Sequence, residues 1–166
     1  LERFITALTA LSDKLAVSIG ERNAVSQEAP CVTVCKVDGT QTGLAFHGVP
    51  SGHEFTSFVL GRYNAAGPGQ ALDDSTRQQI AAITNKTDLK ILVTLSCTMC
   101  PDLVVAAQRI ASGNPNITAH VYDIRHFEDL KKQYNVMSVP CMVVNDSQVF
   151  FGKKNIQQLL QVFASI

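Results

Sequence analysis

The sequence predicts an α/β protein made of two tandem copies of one small fold, the first truncated at its start, packed together as one compact unit. Three observations carry this reading. From Asp88 onward, apolar runs and helical periodicity alternate in the order βαβαββα. The first half repeats part of that order: "PCVTV" at Pro30–Val34 parallels "PCMVV" at Pro140–Val144, and Phe46-His47-Gly48 parallels Phe150-Phe151-Gly152. Third, Cys97 and Cys100 in "TLSCTMCPD" stand at the turn between the first strand and first helix of the second copy.

The elements follow in chain order. "LERFITALTALSDK" at the start reads as an amphipathic helix carrying Glu2, Arg3, Asp13 and Lys14. The alignment of residues 1–21 with "LVVAAQRIASGNPNITAHVYD" then predicts a strand after Lys14. Pro30–Val34 is a strand, His53–Tyr63 a helix, "NAAGPGQ" at Asn64–Gln70 a loop, and Asp74–Ile83 a bridging helix. In the second copy, Lys90–Ser96 is a buried strand, Pro101–Ala111 a helix, and "GNPN" at Gly113–Asn116 a break. Ile117–Ile124 is a strand, Phe127–Tyr134 a helix, and "VMSVP" at Val136–Pro140 a turn. Cys141–Val144 and Gln148–Phe151 form a hairpin, and Asn155–Phe163 closes as a helix. The first two strands of the second copy need a crossover helix between them, and a βαβαββα chain with CxxC at its first strand-to-helix turn is the thioredoxin fold. The expected division is 1–70 for a redox-inactive first thioredoxin-like unit, 71–87 for a connecting helix, and 88–166 for the unit with the CxxC. Leu1 matches about Leu103, so the first unit lacks its opening strand and CxxC turn, and the chain is expected to begin inside a longer protein.

Composition narrows the function classes. The chain has 166 residues, 46% hydrophobic and 17% charged, a balance suited to a packed core. Fourteen basic and fourteen acidic side chains give no electrostatic footprint for nucleic acid or an anionic membrane. Apolar runs are strand-sized, and the start is not a signal peptide, so the expected location is cytoplasmic. Five cysteines then suggest redox or metal chemistry more than a disulfide framework.

A zinc site needs a second ligand pair, and His120 and His126 are too far downstream to form a finger with one CxxC. Pro101 after Cys100 excludes a c-type haem motif. Redox chemistry suits the placement. Cys97 at a helix N-terminus meets unpaired N–H groups and the positive end of the dipole, which favour the thiolate nucleophile. Cys100 follows by about one turn as the resolving thiol, and Pro101 in the first turn breaks no helical bond. Cys31 and Cys35, four residues apart on one strand, are separated by roughly 13 Å. Bridging needs Cα atoms within about 7 Å, so both read as buried thiols. Cys141 reads as a packed thiol near the dithiol.

"SLSCxxCPD"-like "TLSCTMCPD", with "NPNI", "NVMSVP" and "GHEFTS", resembles the N-terminal module of the alkyl hydroperoxide reductase F subunit, a module also fused to thioredoxin-reductase-like flavoproteins. The resemblance spans essentially the whole chain. It implies that Cys97 and Cys100 are the one working dithiol. They would take electrons from an FAD-containing, NAD(P)H-dependent flavoprotein domain on the same polypeptide and pass them to a protein disulfide such as that of a peroxiredoxin. It also implies that Pro140 is a cis-proline packed against the dithiol, presenting the Val139 backbone to an extended substrate strand, with Thr98 and Met99 beside it. Glu54, the "GHEF" acid, would lie near the dithiol and accept the Cys100 proton; "KILVTLS" supplies no acid of its own. The alternative for Glu54 is an acid that complements a helix start. His53 reads as surface or packing. Two departures stand out: Cys141 replaces the small residue usual after the proline, and the first unit's opening strand and turn are missing.

The chain has no Gly-x-Gly-x-x-Gly, so FAD and NAD(P)H are expected in the attached or partner flavoprotein domain and none in this segment. The leading expectation is a thiol-disulfide oxidoreductase relay. The alternatives are a general glutaredoxin- or protein-disulfide-oxidoreductase-like enzyme and a redox-inert docking module.

Overall fold

The computed structural model describes residues 1–20 and 29–166. Twelve elements follow in the order α1 (Glu2–Thr9), β1 (Cys31–Cys35), β2 (Gln41–His47), α2 (Glu54–Ala66), α3 (Asp74–Ala81), β3 (Thr87–Val93), α4 (Cys100–Ala111), β4 (Ile117–Asp123), α5 (Glu128–Gln133), β5 (Cys141–Val144), β6 (Gln148–Phe151) and α6 (Ile156–Phe163). The strands form one six-stranded sheet in the order β1-β2-β4-β3-β5-β6, so the two halves share a single sheet. β3 and β4 run parallel across the α4 crossover, β5 and β6 form an antiparallel hairpin, and β2 joins the halves by pairing parallel to β4.

Alternation along the strands separates two faces. Leu89, Ile91, Val93, Ile117, Ala119, Val121, Met142 and Val144 pack with Phe58, Leu103, Val104, Ala107 and Leu159 of α2, α4 and α6. On the opposite face Leu92, Tyr122, Cys141 and Val143 are covered by Phe127, Tyr134 and Val136 around α5. Asn155 and Gln158 close a capping box that starts α6.

The internal repeat has a structural counterpart. Gly48 N–H donates to the Pro30 carbonyl at 2.7 Å, and Gly152 N–H donates to the Pro140 carbonyl at 2.9 Å. Both Ala29–Pro30 and Val139–Pro140 are cis. Cys31 pairs with His47 across the first hairpin as Cys141 pairs with Phe151 across the second.

Several expectations need correction. The strand expected after Lys14 is not formed by Leu15–Gly20, and the remaining aligned residue, Glu21, lies outside the described residues. In the second unit the equivalent strand β4 is held by β3. The described residues hold no first-unit counterpart of β3, so Leu15–Gly20 have no ladder to join, and Ile19 is 69% exposed. α1 stops at Thr9 rather than continuing to Lys14. There the Ser12 hydroxyl accepts the Lys14 N–H, a local bond that competes with the helix. β3 lies three residues earlier than the apolar run suggests, because Thr87 pairs with Ile117 and the chain turns after Val93 with Cys97 N–H bonded to the Thr94 carbonyl. α2 extends to Ala66 rather than stopping at Tyr63, and α3 ends at Ala81 rather than Ile83. Cys31 is half-buried and Cys35 exposed, so neither is the buried thiol expected; they are not bridged to each other. Cys141 is fully buried, as expected.

Candidate redox site

β3 delivers the chain from the core to the turn at Thr94–Met99, and α4 starts at Cys100. Cys97 and Cys100 are joined in a disulfide with their Cα atoms 5.5 Å apart. The N-terminus of α4 has no side-chain cap from Met99, and Pro101 sits in its first turn. Its unpaired donors turn to sulfur instead: the Cys100 N–H points at Cys97 Sγ, 3.1 Å away. That donor and the helix dipole favour negative charge on Cys97 once the disulfide opens. Exposure divides the pair. Cys97 is half-buried and reachable, whereas Cys100 has no exposed surface.

Thr98 and Met99, between the cysteines, are exposed, Met99 by 50%. β5 begins beside the end of β3, with Cys141 paired to Leu92, so Val139 and Pro140 lie at the same end of the sheet as the dithiol. Val139 is half-buried and Pro140 buried. Met137, three residues before the proline, is 78% exposed. Sequence reasoning passes over it, although an apolar side chain inside the "VMSVP" turn is its signal.

The first unit reaches this site through α2. The His53 N–H donates to the Leu95 carbonyl at 3.1 Å, two residues before Cys97. Gly52 makes the approach possible: its φ is +58°, and a Cβ there would lie 2.5 Å from the Leu95 oxygen. No sequence pattern announces this contact. The His53 side chain is exposed, while Glu54 in the next position is 0% exposed. The Ser57 hydroxyl donates to Glu54 Oε2, and Oε1 has no hydrogen-bond partner among the described residues. Burial pushes the carboxyl up to about 7, against the lowering effect of the Ser57 bond. A carboxyl titrating there takes up and releases a proton near neutrality.

The site's chemistry is thiol-disulfide exchange. Its turn, Thr94–Met99, contains no glycine, unlike the phosphate cradle of a dinucleotide site. Among the described residues no group of three or more His, Cys, Asp or Glu side chains is arranged to hold a metal ion. No helix of the described residues is long and apolar enough to cross a membrane.

Comparison with known proteins agrees with this geometry. Residues 87–163 match the Thioredoxin domain family. The chain is 30% identical over 165 residues to the alkyl hydroperoxide reductase F subunit of Staphylococcus aureus, covering 99% of this chain and 31% of that protein. A Bacillus subtilis relative named NADH dehydrogenase is 30% identical over 161 residues, covering 97% of this chain and again 31% of the relative. The chain therefore spans about a third of the length of these curated relatives. A structure of the Enterococcus faecalis alkyl hydroperoxide reductase F subunit superposes with a TM-score of 0.92 at 37% identity, covering 98% of this chain and 82% of that one. A protein disulfide oxidoreductase from Aeropyrum pernix superposes with a TM-score of 0.73 at 25% identity, covering 84% of this chain and 60% of that one.

Proposed function

The chain belongs to the family of the alkyl hydroperoxide reductase F subunit, as a thiol-disulfide redox module, and from that premise we propose that it relays electrons to a protein disulfide through Cys97 and Cys100. The observation that carries the reading is the asymmetry of the pair: a reachable Cys97 whose sulfur receives an N–H at an uncapped helix start, with a buried Cys100 behind it. In the reduced state the Cys97 thiolate attacks one sulfur of the substrate disulfide. The S–S bond breaks, and the departing thiolate takes a proton. Cys100 then gives up its proton, attacks Cys97 Sγ and releases the second substrate thiol, leaving the disulfide seen here. Two electrons pass to the substrate in all.

Glu54 is the proposed acceptor of the Cys100 proton, because a buried carboxyl held up to about 7 exchanges protons at the pH of the reaction. Val139 and Pro140 form the proposed docking edge for the substrate strand, with Thr98 and Met99 as its polar and apolar rim. The electrons come from an FAD- and NAD(P)H-dependent flavoprotein domain on the same polypeptide, in the cytoplasm. The proposed acceptor is a peroxiredoxin disulfide.

Trapping tests the roles. Cys100→Ser accumulates mixed disulfides through Cys97 when offered an oxidised peroxiredoxin, and Cys97→Ser accumulates none. Equal trapping by both variants overturns the assignment. A second reading, a general protein disulfide oxidoreductase, is favoured by the similarity to the Aeropyrum pernix enzyme. Equilibration with glutathione buffers separates the two. A potential near that of thioredoxin, about −270 mV, supports the relay, and one above roughly −200 mV supports the general oxidoreductase.

A further inference from the structure

The first unit carries a second sulfur site of different construction. Cys31 opens β1, and the antiparallel register sets it opposite His47 at the end of β2. Cys31 Sγ lies 3.8 Å from His47 Nε2, and the same nitrogen lies 3.4 Å from His120 Nδ1 on β4. His47 is 1% exposed and fixed in place. Its ring stacks on Tyr122 with centroids 4.0 Å apart and planes 6° apart, and it meets Phe127 edge-on at 5.9 Å. A neutral imidazole has one nitrogen able to accept a proton, and Nε2 is the His47 nitrogen that faces the sulfur. His120 pairs across the ladder with Lys90, and the Asp88 carboxylate on the same face is near enough to feel the charge of His120.

The second unit provides an internal control. Cys141 holds the equivalent position, after the matching proline and at the start of the matching strand, but faces Phe151 where Cys31 faces His47. Cys141 is 0% exposed, and burial pushes its thiol up to about 11. Cys31 is half-buried and therefore reachable. One backbone position thus carries a sealed thiol in one unit and, in the other, a thiol beside an imidazole that itself meets a second imidazole. Among the described residues no group of three or more His, Cys, Asp or Glu side chains is arranged to hold a metal ion.

We propose that Cys31 is a second reactive thiol, activated by His47 and His120, which exchanges with small-molecule disulfides independently of the Cys97–Cys100 pair. The thiol proton passes to His47 and is shared with His120. The thiolate attacks one sulfur of the incoming disulfide, the S–S bond breaks, and a Cys31 mixed disulfide forms. The departing thiolate leaves with the proton, so one thiol is oxidised and one half of the disulfide is reduced to thiol.

The test uses the whole chain with Cys97–Cys100 already oxidised, so that Cys31, Cys35 and Cys141 are the remaining thiols. Glutathione disulfide is the probe at pH 7, and peptide mass spectrometry reads the modified residue. Cys31 is expected to react about tenfold faster than Cys35 despite the greater exposure of Cys35. His47→Gln should slow Cys31 by about tenfold and move its half-maximal rate to higher pH, with the Cys35 rate unchanged. Because His47 is buried, His120→Gln is the second variant; it is half-buried and should slow Cys31 by about threefold. The Cys35 rate and a cooperative unfolding transition report that each variant is folded. A Cys35 rate equal to or above that of Cys31, the order exposure alone dictates, overturns the proposal. So does a folded variant of either histidine with an unchanged Cys31 rate and pH profile.

Discussion

The backbone N–H of His53 is bonded to the carbonyl of Leu95 at 3.1 Å, so the helix of one unit is fastened to the turn that carries the dithiol of the other. The attachment depends on Gly52, whose positive φ and missing side chain let the chain pass over the Leu95 oxygen. Gly52→Ala puts a methyl 2.5 Å from that oxygen in a conformation that L-residues resist. The expected cost is about 1–3 kcal/mol of stability, read by urea denaturation. Mixed-disulfide formation at Cys97 should also slow, because the turn must shift to clear the methyl. Unchanged stability together with unchanged exchange would show that the attachment does not hold the turn.

Glu54 sets the sign of a pH dependence opposite to that of most carboxylates. Its folded-state pKa, about 7, lies above the ordinary value of 4.5 because burial disfavours the charged form. Between those values the folded protein holds more protons than the unfolded chain, so stability falls as pH rises through that window. The slope is at most about 1.4 kcal/mol per pH unit from this one group. Glu54→Gln keeps the shape, removes the titration and should flatten denaturation free energy between about pH 5 and about 7. A wild-type profile that rises across the same range would remove the argument. In single-turnover exchange, the same variant should lose the step that depends on Cys100 deprotonation near pH 7, leaving the first attack by Cys97 intact.

What the sequence makes legible divides along physical lines. The second unit can be read almost whole, because its strands pair with one another inside the chain and their apolar runs match their burial. Cys97 and Cys100 are visible because a CxxC at a strand-to-helix turn is a local pattern. The first unit is legible where it keeps its own hairpin, "PCVTV" with "GLAFHG", and illegible at Leu15–Gly20. There an apolar stretch has no partner strand to define it. Contacts between units leave no local trace: neither the Gly52–Leu95 approach nor the alignment of Cys31, His47 and His120 follows from spacing. The Gly52–Leu95 and His47–His120 contacts join residues 43 and 73 positions apart that only the shared sheet and the α2–α4 packing bring together. Cys31 reads as buried in the sequence because it lies on a strand, too far from Cys35 to bridge to it. The difference lies in the sheet: β1 is an edge strand on which Cys31 faces His47 from one side, whereas Cys141 on β5 is flanked by Leu92 and Phe151.

The acid side of the pH profile belongs to Lys90. Its Nζ donates to Asp88 Oδ2 at 2.8 Å and to Asp146 Oδ1 at 2.6 Å, and Asp146 also accepts from the Tyr134 hydroxyl at 2.5 Å. Burial pushes Asp88 up, but the bonds from Lys90 and Thr118 outweigh it and hold the carboxyl below its ordinary 3.8. At Asp146 the Lys90 bond and then the Tyr134 bond lower it likewise. Both carboxylates therefore stabilise the fold above their unfolded pKa, and that stabilisation is lost as pH falls through their lowered folded values. Lys90→Met keeps the aliphatic packing and removes the charge, leaving Asp88 half-buried beside Thr118 without its cation. The expected loss is about 1–2 kcal/mol at about pH 5, discounted for the solvent that screens Asp146. At pH below the lowered folded values, where the aspartates are protonated in both states, wild type and variant should converge, because the bridge then contributes little. These aspartates add stability as pH rises through their titration, and Glu54 subtracts it as pH rises from its ordinary 4.5 toward about 7, so the two contributions bend the stability profile in opposite directions. A variant that stays about 1–2 kcal/mol below wild type even where both aspartates are protonated would show that Lys90 acts by packing and not by charge.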